Sequence, residues 1–362
     1  NENIWIATFG GGLNLYKTKT AEVNYYKNDQ NNPESINSDF INSLYIDRSN
    51  NLWIGTYTGG LNKYSFNIEK FRLIRNSDDP ISLSNNLVTA VYQEKNGILW
   101  VGTRQGLNII DRNKMKKEVL IYGKKEDIAE PQNLIRSITE DNNNRIWIGT
   151  HNGLHCIDKN NRRFILKYNS ELQKQLKNNT IRALLLDKNT LWIGSNNGLF
   201  KYDLISNKFK KYLNIPSDSF SLSDNYVWSF HKDKYGNLWI GTRKGLNLLD
   251  EKKEKFKRYY FVDNNKIKES DNLITSIISD DKGNIWIGTF VSGLHVLEPE
   301  FISDSNIPNY SHSKVKHFSL FPNEKMSVSY LMIDDNQNLW LGTDEDIIVI
   351  NKERNTFRAY NL

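Results

Sequence analysis

One short motif recurs along the chain at nearly constant intervals. Eight of the nine tryptophans open a variant of Trp-Ile-Gly-Thr, and they stand at Trp5, Trp53, Trp100, Trp147, Trp192, Trp239, Trp286 and Trp340. Subtraction of successive positions gives intervals of 48, 47, 47, 45, 47, 47 and 54 residues. A period of this length indicates stacked supersecondary units, each too small to bury its apolar face alone.

Each repeat carries the pattern of four short strands joined by polar turns. In the third repeat, residues 88–92, 99–103, 107–110 and 119–122 are rich in apolar and β-branched side chains. The stretches between them contain Gly, Asn and charged residues. Runs of this length, separated by such turns, predict antiparallel strands. One repeat therefore predicts one four-stranded sheet.

The first strand of each repeat favours a β-propeller over a sandwich or a solenoid. Around ten residues before the tryptophan, six of the seven first strands carry a small residue, namely Ser43, Ala90, Ser137, Ala183, Ser229 and Ser276. Small side chains are expected where the innermost strands of a propeller crowd around its axis. These strands are otherwise apolar on both faces, as at Ile41 and Leu44, which indicates neighbours on both sides. The sequence therefore predicts an all-β fold: a single β-propeller of four-stranded antiparallel blades over residues 1–362.

We interpret the Trp-Ile-Gly-Thr motif itself as structural. Its tryptophans are expected to pack between blades, and its glycines to form turns. A second glycine precedes the third strand of most repeats, as at Gly60 and Gly245, and indicates a tight turn with positive φ.

We favour eight blades. A first strand is visible in repeats two to eight, whereas Asn1 lies too close to Trp5 for the first repeat to have one. The first repeat is therefore expected to begin at its second strand. The alternative is seven blades, with the first repeat belonging to a preceding domain and about three strands left at an exposed edge.

Composition excludes several classes of function. The 48 Lys and Arg against 42 Asp and Glu give a formal net charge of +6, and the lysines are scattered. Nucleic acid is not an expected partner, because its binding needs a clustered basic face. Cys156 is the only cysteine, so neither an intrachain disulfide nor a cysteine-rich zinc site is expected. No apolar run is as long as a membrane span, and Asn1 opens into patterned sequence, so we expect an excised domain without direct membrane insertion.

Motifs of known catalytic chemistry are not found in the sequence: there is no Gly-x-Ser-x-Gly, no His-Glu-x-x-His and no phosphate loop. Turns such as residues 233–237 are similar to calcium loops and to the Asp boxes of sialidases, but an Asp that closes a tight turn explains them. His155 and His295 share one third-strand position, which we interpret as variation within a repeat. The sequence therefore predicts no enzyme activity, no cofactor and no metal site.

These motifs resemble the two-component regulator propeller repeat of bacterial hybrid two-component sensors. The resemblance rests on residues 51–56 and 237–242 (Asn-Leu-Trp-Ile-Gly-Thr), 245–247 (Gly-Leu-Asn) and 219–229, and it covers essentially the whole chain. It implies an extracytoplasmic sensor, often of polysaccharide fragments, that has two seven-bladed propellers, an immunoglobulin-like domain, a transmembrane helix and a kinase or cyclase output. Eight repeats and the lack of an output domain in this chain depart from that pattern.

Ligand recognition is expected at one rim, where the turns after the motif and the links between blades vary in sequence. The candidate ligand-binding residues are Tyr57, Arg104, His151, Asn196, Trp228, Arg243, Lys244 and Phe290. Aromatic rings stack on sugar faces and polar side chains pair with hydroxyls, which suits a carbohydrate. The basic turns at Arg104 and at Arg243 and Lys244 also suit an acidic group. Trp228 breaks the repeat in an inner strand, where it would stack on a ligand or fill a gap between blades.

Three hypotheses follow for function. The leading one is an extracytoplasmic sensing module, periplasmic or extracellular, that binds an oligosaccharide or other small ligand and signals through adjoining domains of the same receptor or a homodimer. The second is a structural or assembly propeller without a small ligand. The third is a polysaccharide lyase or glycosidase, because fold alone does not decide function.

Overall fold

The computed structural model describes residues 3–30, 32, 35–47, 51–65, 70–77, 79–124, 126, 130–263, 266–267, 272–301, 308–310, 313–319, 326–344 and 346–361. The fold is an all-β, eight-bladed β-propeller, as the sequence predicts. The chain divides into two compact units. The N-terminal unit comprises residues 1–193 and 202–209, and the C-terminal unit comprises residues 194–201 and 210–361. Each is described by itself.

The N-terminal unit contains the first four blades. Its strands are β1 (Asn3–Ala7), β2 (Leu13–Lys17), β3 (Glu22–Tyr26), β4 (Ile41–Ile46), β5 (Asn51–Thr56), β6 (Leu61–Ser65), β7 (Lys70–Ile74), β8 (Val88–Gln93), β9 (Leu99–Thr103), β10 (Gly106–Asp111), β11 (Lys116–Leu120), β12 (Ile135–Glu140), β13 (Arg145–Thr150), β14 (Gly153–Asp158) and β15 (Arg163–Phe164). The first sheet has the order β1-β2-β3, and the next three each have four strands in chain order. The first repeat thus begins at its second strand, as predicted.

Among the described residues of this unit, the links between blades contain a 3₁₀ turn and a short α-helix. Pro131–Asn133 forms a 3₁₀ turn. Helix α1 (Ser170–Leu176) is capped by Asn169, whose side chain accepts a hydrogen bond of 2.9 Å from the Leu172 amide, and it buries Leu172 and Leu176.

The division between the units falls in the fifth sheet. That sheet has the order β16-β17-β18-β19, with bounds β16 (Ile181–Asp187), β17 (Thr190–Ser195), β18 (Gly198–Asp203) and β19 (Lys208–Tyr212).

The C-terminal unit contains the last three blades and two small hairpins. Its strands are β20 (Val227–Lys232), β21 (Leu238–Thr242), β22 (Gly245–Asp250), β23 (Lys255–Tyr259), β24 (Val262–Asp263), β25 (Lys266–Ile267), β26 (Ile274–Ser279), β27 (Ile285–Thr289), β28 (Leu294–Leu297), β29 (Glu300–Phe301), β30 (Pro308–Asn309), β31 (Val315–His317), β32 (Val328–Ile333), β33 (Leu339–Thr343), β34 (Asp346–Ile350) and β35 (Phe357–Asn361). The blade sheets are β20-β21-β22-β23, β26-β27-β28-β31 and β32-β33-β34-β35, and β24-β25 and β29-β30 pair as hairpins. The first hairpin lies in the link between the sixth and seventh blades, and the second lies within the seventh blade, between its third strand β28 and its fourth strand β31.

The tryptophan of each motif lies in the second strand of its blade and is buried. In six blades the indole Nε1 donates to a carboxylate six residues earlier, across the turn from the inner strand. In the sixth blade, Asp233 accepts from Trp239 at 3.0 Å and also from the backbone amides of Tyr235 and Asn237. An Asp that closes the turn, as the sequence indicates, therefore also satisfies the buried indole N–H.

The glycine of the motif has a different role from the predicted one. Gly241 lies within β21 and pairs in register with Ser229 of β20, so it does not form a turn. A Cβ on Gly241 would stand 2.3 Å from Ser229 Oγ and 2.7 Å from Ile274 Cγ2, at the start of the next blade. The motif requires glycine because neighbouring blades approach closely here, and the facing inner-strand residue is small for the same local reason.

Third-strand asparagines anchor the links between blades. Asn247 is fully buried; its Oδ1 accepts from the Ser223 amide at 2.9 Å, and its Nδ2 donates to Ser223 Oγ at 2.8 Å. Asn108 makes the equivalent pair of bonds to Ser84. These bonds fix the end of each link beside the turn that follows the motif.

No helix in the part of the chain that the structure describes is long and apolar enough to span a membrane.

Candidate functional site

The turn after each motif is held in the same place in every blade where its bonds are described. The residue that follows the motif Thr donates its backbone N–H to the residue just before the inner strand, in the pairs Tyr57 to Phe40, Arg104 to Leu87, His151 to Leu134, Arg243 to Tyr226 and Phe290 to Leu273, at 2.8–3.1 Å. The five candidate side chains on these turns therefore stand at equivalent points of their blades.

The motif threonine hydroxyl and a glycine with positive φ stabilise this turn. Thr242 Oγ1 donates to the Gly245 carbonyl at 2.9 Å and accepts from the Lys244 amide at 3.1 Å. Gly245 has φ of 127°, and a Cβ there would stand 2.8 Å from the Tyr259 carbonyl oxygen. The predicted positive-φ turn is confirmed, and because Thr242, Gly245 and the backbone hold it, residues of different types can occupy the positions of Arg243 and Lys244.

The inner strands add a second variable position at the same edge of each blade. In six blades the register skips one residue at the start of the inner strand, as between Ile135 and Ser137, which leaves a bulged residue without a Cα partner. The bulged residues Asn42, Thr89 and Thr275 donate to the first inner-strand carbonyl of the next blade at 3.2, 2.7 and 2.5 Å. Bulged side chains thus project toward the neighbouring blade near the variable turns.

Larger side chains replace these small polar ones in three consecutive repeats. Arg136 and Trp228 are bulged residues, and Arg182 holds the equivalent place in the fifth repeat. At this position, repeats four to six therefore carry a large cationic or aromatic side chain in place of a small polar one.

In the N-terminal unit this change produces a cationic cluster. Arg136 Nη2 lies 2.8 Å from His151 Nε2. A guanidinium can only donate, so Nε2 accepts and the neutral ring carries its proton on Nδ1. Burial, followed by the charges of Arg136, Arg182 and Arg104, lowers the pKa of His151. Three arginines from three blades thus act on His151 at the rim.

Backbone contacts bring the members of this cluster together. The Thr180 hydroxyl lies 3.4 Å from the His151 carbonyl, and Arg182 follows two residues later on β16. On the other side, Thr89 in the third blade bonds to the Ile135 carbonyl, next to Arg136. Arg136, His151 and Arg182 are half-buried, whereas Arg104 is exposed.

Aromatic side chains occupy the rim of the first two blades. The ring centroids of Phe9 and Tyr57 lie 5.5 Å apart, and those of Phe9 and Phe40 lie 5.1 Å apart, both nearly edge to face. Phe40 and Tyr57 are each 44% exposed. Tyr57 therefore belongs to an exposed aromatic cluster on blades one and two.

In the C-terminal unit, Trp228 stacks on Tyr226, with centroids 5.8 Å apart and an interplanar angle of 30°. Both rings are half-buried, and the Tyr226 carbonyl accepts from the amide of Arg243, whose side chain is exposed. Phe290 is 59% exposed on the next turn. This unit thus presents aromatic rings beside a cation.

The structure brings together Arg104 and His151 among the candidates in the N-terminal unit, and Trp228 and Arg243 among those in the C-terminal unit. Lys244 is half-buried beside Arg243, and the Asn196 side chain is exposed. Sequence reasoning missed Arg136 and Arg182 as site residues. The signal was available, because both stand at the repeat position where Trp228 was noticed.

Metal chemistry has no support in the described residues, among which no group of three or more His, Cys, Asp or Glu side chains could hold a metal ion. His155 and His295 lie at the third-strand position of the buried asparagines. His295 is 5% exposed and stacks on Phe261, with centroids 4.1 Å apart. Burial lowers the pKa of His155 to about 4 and that of His295 to about 3.

The blades share one structure and differ in the side chains at the turn after the motif and at the bulge, which is typical of a β-propeller built from sequence repeats. The family described as "Two component regulator propeller" matches residues 35–58, 82–105, 129–152, 175–197, 221–244 and 268–290. The chain therefore contains six two-component regulator propeller repeats, and the resemblance seen in its sequence is confirmed. Every matched segment runs through the link, the inner strand and the motif, and ends in the variable turn. No curated protein matches the sequence.

Solved structures show the same fold. The extracellular domain of a protein described as the hybrid two component system BT3049 from B. thetaiotaomicron has 22% identity and a TM-score of 0.54, over 97% of this chain and 49% of that one. That of the one component system BT4673 from the same organism has 21% identity and a TM-score of 0.54, over 99% and 45%. Virginiamycin B lyase from Staphylococcus aureus has 12% identity and a TM-score of 0.53, over 84% and 92%. The chain spans less than half of the two extracellular domains.

Proposed function

We propose that this propeller is the ligand-sensing module of a bacterial receptor of the hybrid two-component type, located outside the cytoplasm. The observation that carries the proposal is the match of six repeats to the two-component regulator propeller family. The extracellular domains of BT3049 and BT4673 support the location, periplasmic or extracellular. The ligand we propose is an oligosaccharide or another small polar molecule.

The distribution of residues at the rim supports recognition over a purely structural role. Residues inside the blades repeat because packing demands them, as with the motif glycine. The turn position, by contrast, carries Tyr57, Arg104, His151 and Phe290 in different blades, on one backbone geometry. A repeated scaffold with varied side chains at one edge is typical of binding surfaces.

The signal is proposed to pass to an output domain outside this chain, through adjoining domains of the same receptor or a homodimer. The gene sequence on either side of the 362 residues tests this part. A transmembrane helix with kinase or cyclase motifs is the expected result, whereas a secretion-sorting tail would favour an assembly role.

Ligand binding is tested on the chain itself with a glycan panel, by thermal shift and calorimetry. Binding is expected to weaken in Phe290→Ala or Trp228→Ala, since both remove a ring that could stack on a sugar. Phe357→Ala is the matched control, because Phe357 is an exposed ring on the outer strand β35. No binding by any member of the panel, with a folded protein, would contradict a glycan-sensing role.

The same incubations test the enzyme hypothesis. The propeller of virginiamycin B lyase shares the fold at 12% identity, which shows fold alone. New reducing ends or unsaturated products in the panel would replace the sensor proposal with a catalytic one.

A further inference from the structure

Three aromatic rings meet at the rim of the first two blades, within the N-terminal unit. Phe9 and Tyr57 stand on the turns after the motif in blades one and two, and Phe40 stands just before the inner strand of blade two. The ring of Phe9 meets those of Phe40 and Tyr57 at interplanar angles of 72° and 71°. Phe9 is half-buried, and the other two rings are exposed. These three residues make up the aromatic cluster.

The backbone holds the aromatic cluster in place. Phe9 and Phe40 form an antiparallel β-bridge. The Tyr57 amide donates to the Phe40 carbonyl at 2.8 Å, and next to the bridge the Ile41 amide donates to the Thr8 carbonyl at 3.0 Å. Rings carried by a fixed backbone lose little conformational entropy when a ligand binds.

Packing within the propeller does not require aromatic residues at these positions. In the third blade, the same backbone bond joins the amide of Arg104 to the carbonyl of Leu87 at 3.1 Å. The equivalents of Tyr57 and Phe40 are therefore an arginine and a leucine there, on the same backbone geometry. Contiguous exposed rings that the fold does not need indicate a binding surface.

The size of the aromatic cluster favours a small ligand over a protein partner. An aromatic side chain offers about 150–250 Å² of surface, so Phe40 and Tyr57, each 44% exposed, leave roughly 70–110 Å² apiece. A stable protein interface buries about 800 Å² on each partner. The cluster is therefore several-fold smaller than the surface that a second copy of the chain would need.

Polar groups beside the rings fit the edge of a sugar. The Tyr57 side chain ends in a hydroxyl. Asn42, two residues after Phe40, is exposed and donates its Nδ2 to the Val88 carbonyl at 3.2 Å, and its Oδ1 is a hydrogen-bond acceptor. A pyranose ring has hydroxyls around its edge and C–H groups on its face, whose partial positive charge is attracted to the electron-rich face of an aromatic ring.

We propose that the aromatic cluster is a stacking subsite for one pyranose ring of a neutral saccharide, with Asn42 and the Tyr57 hydroxyl at the edge of that ring. This inference deepens the proposed function and rests on it for the role of binding in sensing. Stacking of a sugar on the rings is a property of the cluster and is testable separately.

The first experiment observes the subsite directly. Protein labelled with fluorinated phenylalanine and tyrosine is titrated with cellotriose, xylotriose, mannotriose and maltotriose and followed by fluorine NMR, and Phe40→Leu and Tyr57→Leu assign the two resonances. At least one trisaccharide is expected to shift both signals. Its C–H protons are expected to move upfield in the ligand spectrum, because they lie over ring faces. Unchanged Phe40 and Tyr57 signals with all four sugars would overturn the subsite.

The second experiment measures the dissociation constant of that trisaccharide in variants whose fold is confirmed by thermal unfolding. Phe40→Leu and Tyr57→Leu are each expected to raise it about 10-fold, since leucine is the residue at the position of Phe40 in the third repeat and has no ring face. Tyr57→Phe keeps the ring and should raise it only a few-fold. Tyr25→Leu is the matched control, since Tyr25 is a 49% exposed ring on the outer strand β3 of the first blade.

The outcomes separate this inference from the proposed function. A trisaccharide that binds equally well to Phe40→Leu, Tyr57→Leu and the wild type overturns the subsite and leaves the sensor role intact. An equal loss in Tyr57→Phe and Tyr57→Leu, or a comparable loss in Tyr25→Leu, would refute stacking on the cluster. Signals that move with protein concentration instead of saccharide would place a second copy there and also refute it. Stacking of a sugar to which the full receptor gives no signal supports the subsite and counts against the proposed sensing role.

Discussion

At the scale of single residues, the buried polar groups of the blades are satisfied in a repeated way. The carboxylate of Asp233 serves two backbone amides, Asn237 Nδ2 and the indole N–H of Trp239. In the third blade Glu94 takes this role and accepts from Trp100 at 2.6 Å. The position therefore requires a carboxylate that reaches the indole, and the longer side chain is tolerated where the turn fits it.

The substitution Asp233→Ala is expected to lower the free energy of unfolding by about 2–3 kcal/mol, because it leaves the buried Trp239 N–H and turn amides without an acceptor. Urea unfolding followed by tryptophan fluorescence measures the loss. Asp233→Glu is the matched variant, and its cost is expected to be smaller because Glu94 accepts from the equivalent indole N–H in the third blade. A stability equal to that of the wild type in Asp233→Ala would refute this role.

His155 and His295 are expected to make the free energy of unfolding depend on pH. Burial lowers the pKa of each below the value of 6.5 for a solvated imidazole, so below that pH the unfolded chain binds more protons than the folded one. Stability contributed by the neutral rings is complete above pH 6.5 and is lost as the pH falls toward about 4 for His155 and about 3 for His295. The slope is expected to reach about 1.4 kcal/mol per pH unit for each histidine.

Urea unfolding between neutral and acidic pH tests this expectation. His155→Asn and His295→Asn introduce the residue that other repeats carry, such as Asn108 and Asn247, and remove the titrating group. Each variant should lose stability less steeply on acidification than the wild type. An unchanged slope in both variants would show that other groups carry the acid sensitivity.

At the scale of the element, the second strand of a blade lies close to the next blade at the motif glycine. Gly241 faces both Ser229 of its own blade and Ile274 of the next one. The periodic sequence placed this strand correctly, but assigned its glycine to a turn. That role could not be read from spacing, because a glycine in a strand and a glycine in a turn have the same period.

Gly241→Ala is expected to cost about 1–3 kcal/mol in the free energy of unfolding, since the added methyl must displace Ile274 or Ser229. Gly236→Asn serves as the control: Gly236 lies in the turn before the motif with φ of 88° and has open space around its Cβ position. Asn tolerates this conformation, so a change below about 1 kcal/mol is expected there. Thermal and urea unfolding of both proteins decide between close packing and simple loss of glycine flexibility.

At the scale of the whole molecule, the formal net charge of +6 adds a long-range term to any anionic ligand. Association of an acidic oligosaccharide is expected to slow several-fold between about 0.1 M and about 1 M NaCl, because the screening length falls from about 10 Å to about 3 Å. A neutral oligosaccharide should show little change. Stopped-flow or surface-based kinetics measure both rates, and equal salt dependence for the two ligands would contradict this steering.

The fold could be predicted from the sequence because the same packing requirement recurs in all eight copies of the motif. The blade number, the incomplete first blade and the turn glycines all followed from their spacing. The candidate site could be predicted only in part. Tyr57 and Arg104 stand in turns that the repeat marks as variable, and Arg136 and Arg182 stand at the inner-strand position where Trp228 breaks the repeat. The sequence does not reveal that a bulge at this position turns the side chain toward the neighbouring blade.

The bulge at the start of the inner strands has a consequence for how the sequence of such a propeller can evolve. A residue without a pairing partner can be exchanged for threonine, arginine or tryptophan while the ladder around it keeps its bonds. Duplication of a blade therefore copies the four-stranded sheet together with one bulged position whose side chain can be replaced. The rim of a propeller can therefore change one blade at a time, and grafting the bulged residue and its turn from one propeller to another is a direct way to alter the chemistry of that rim.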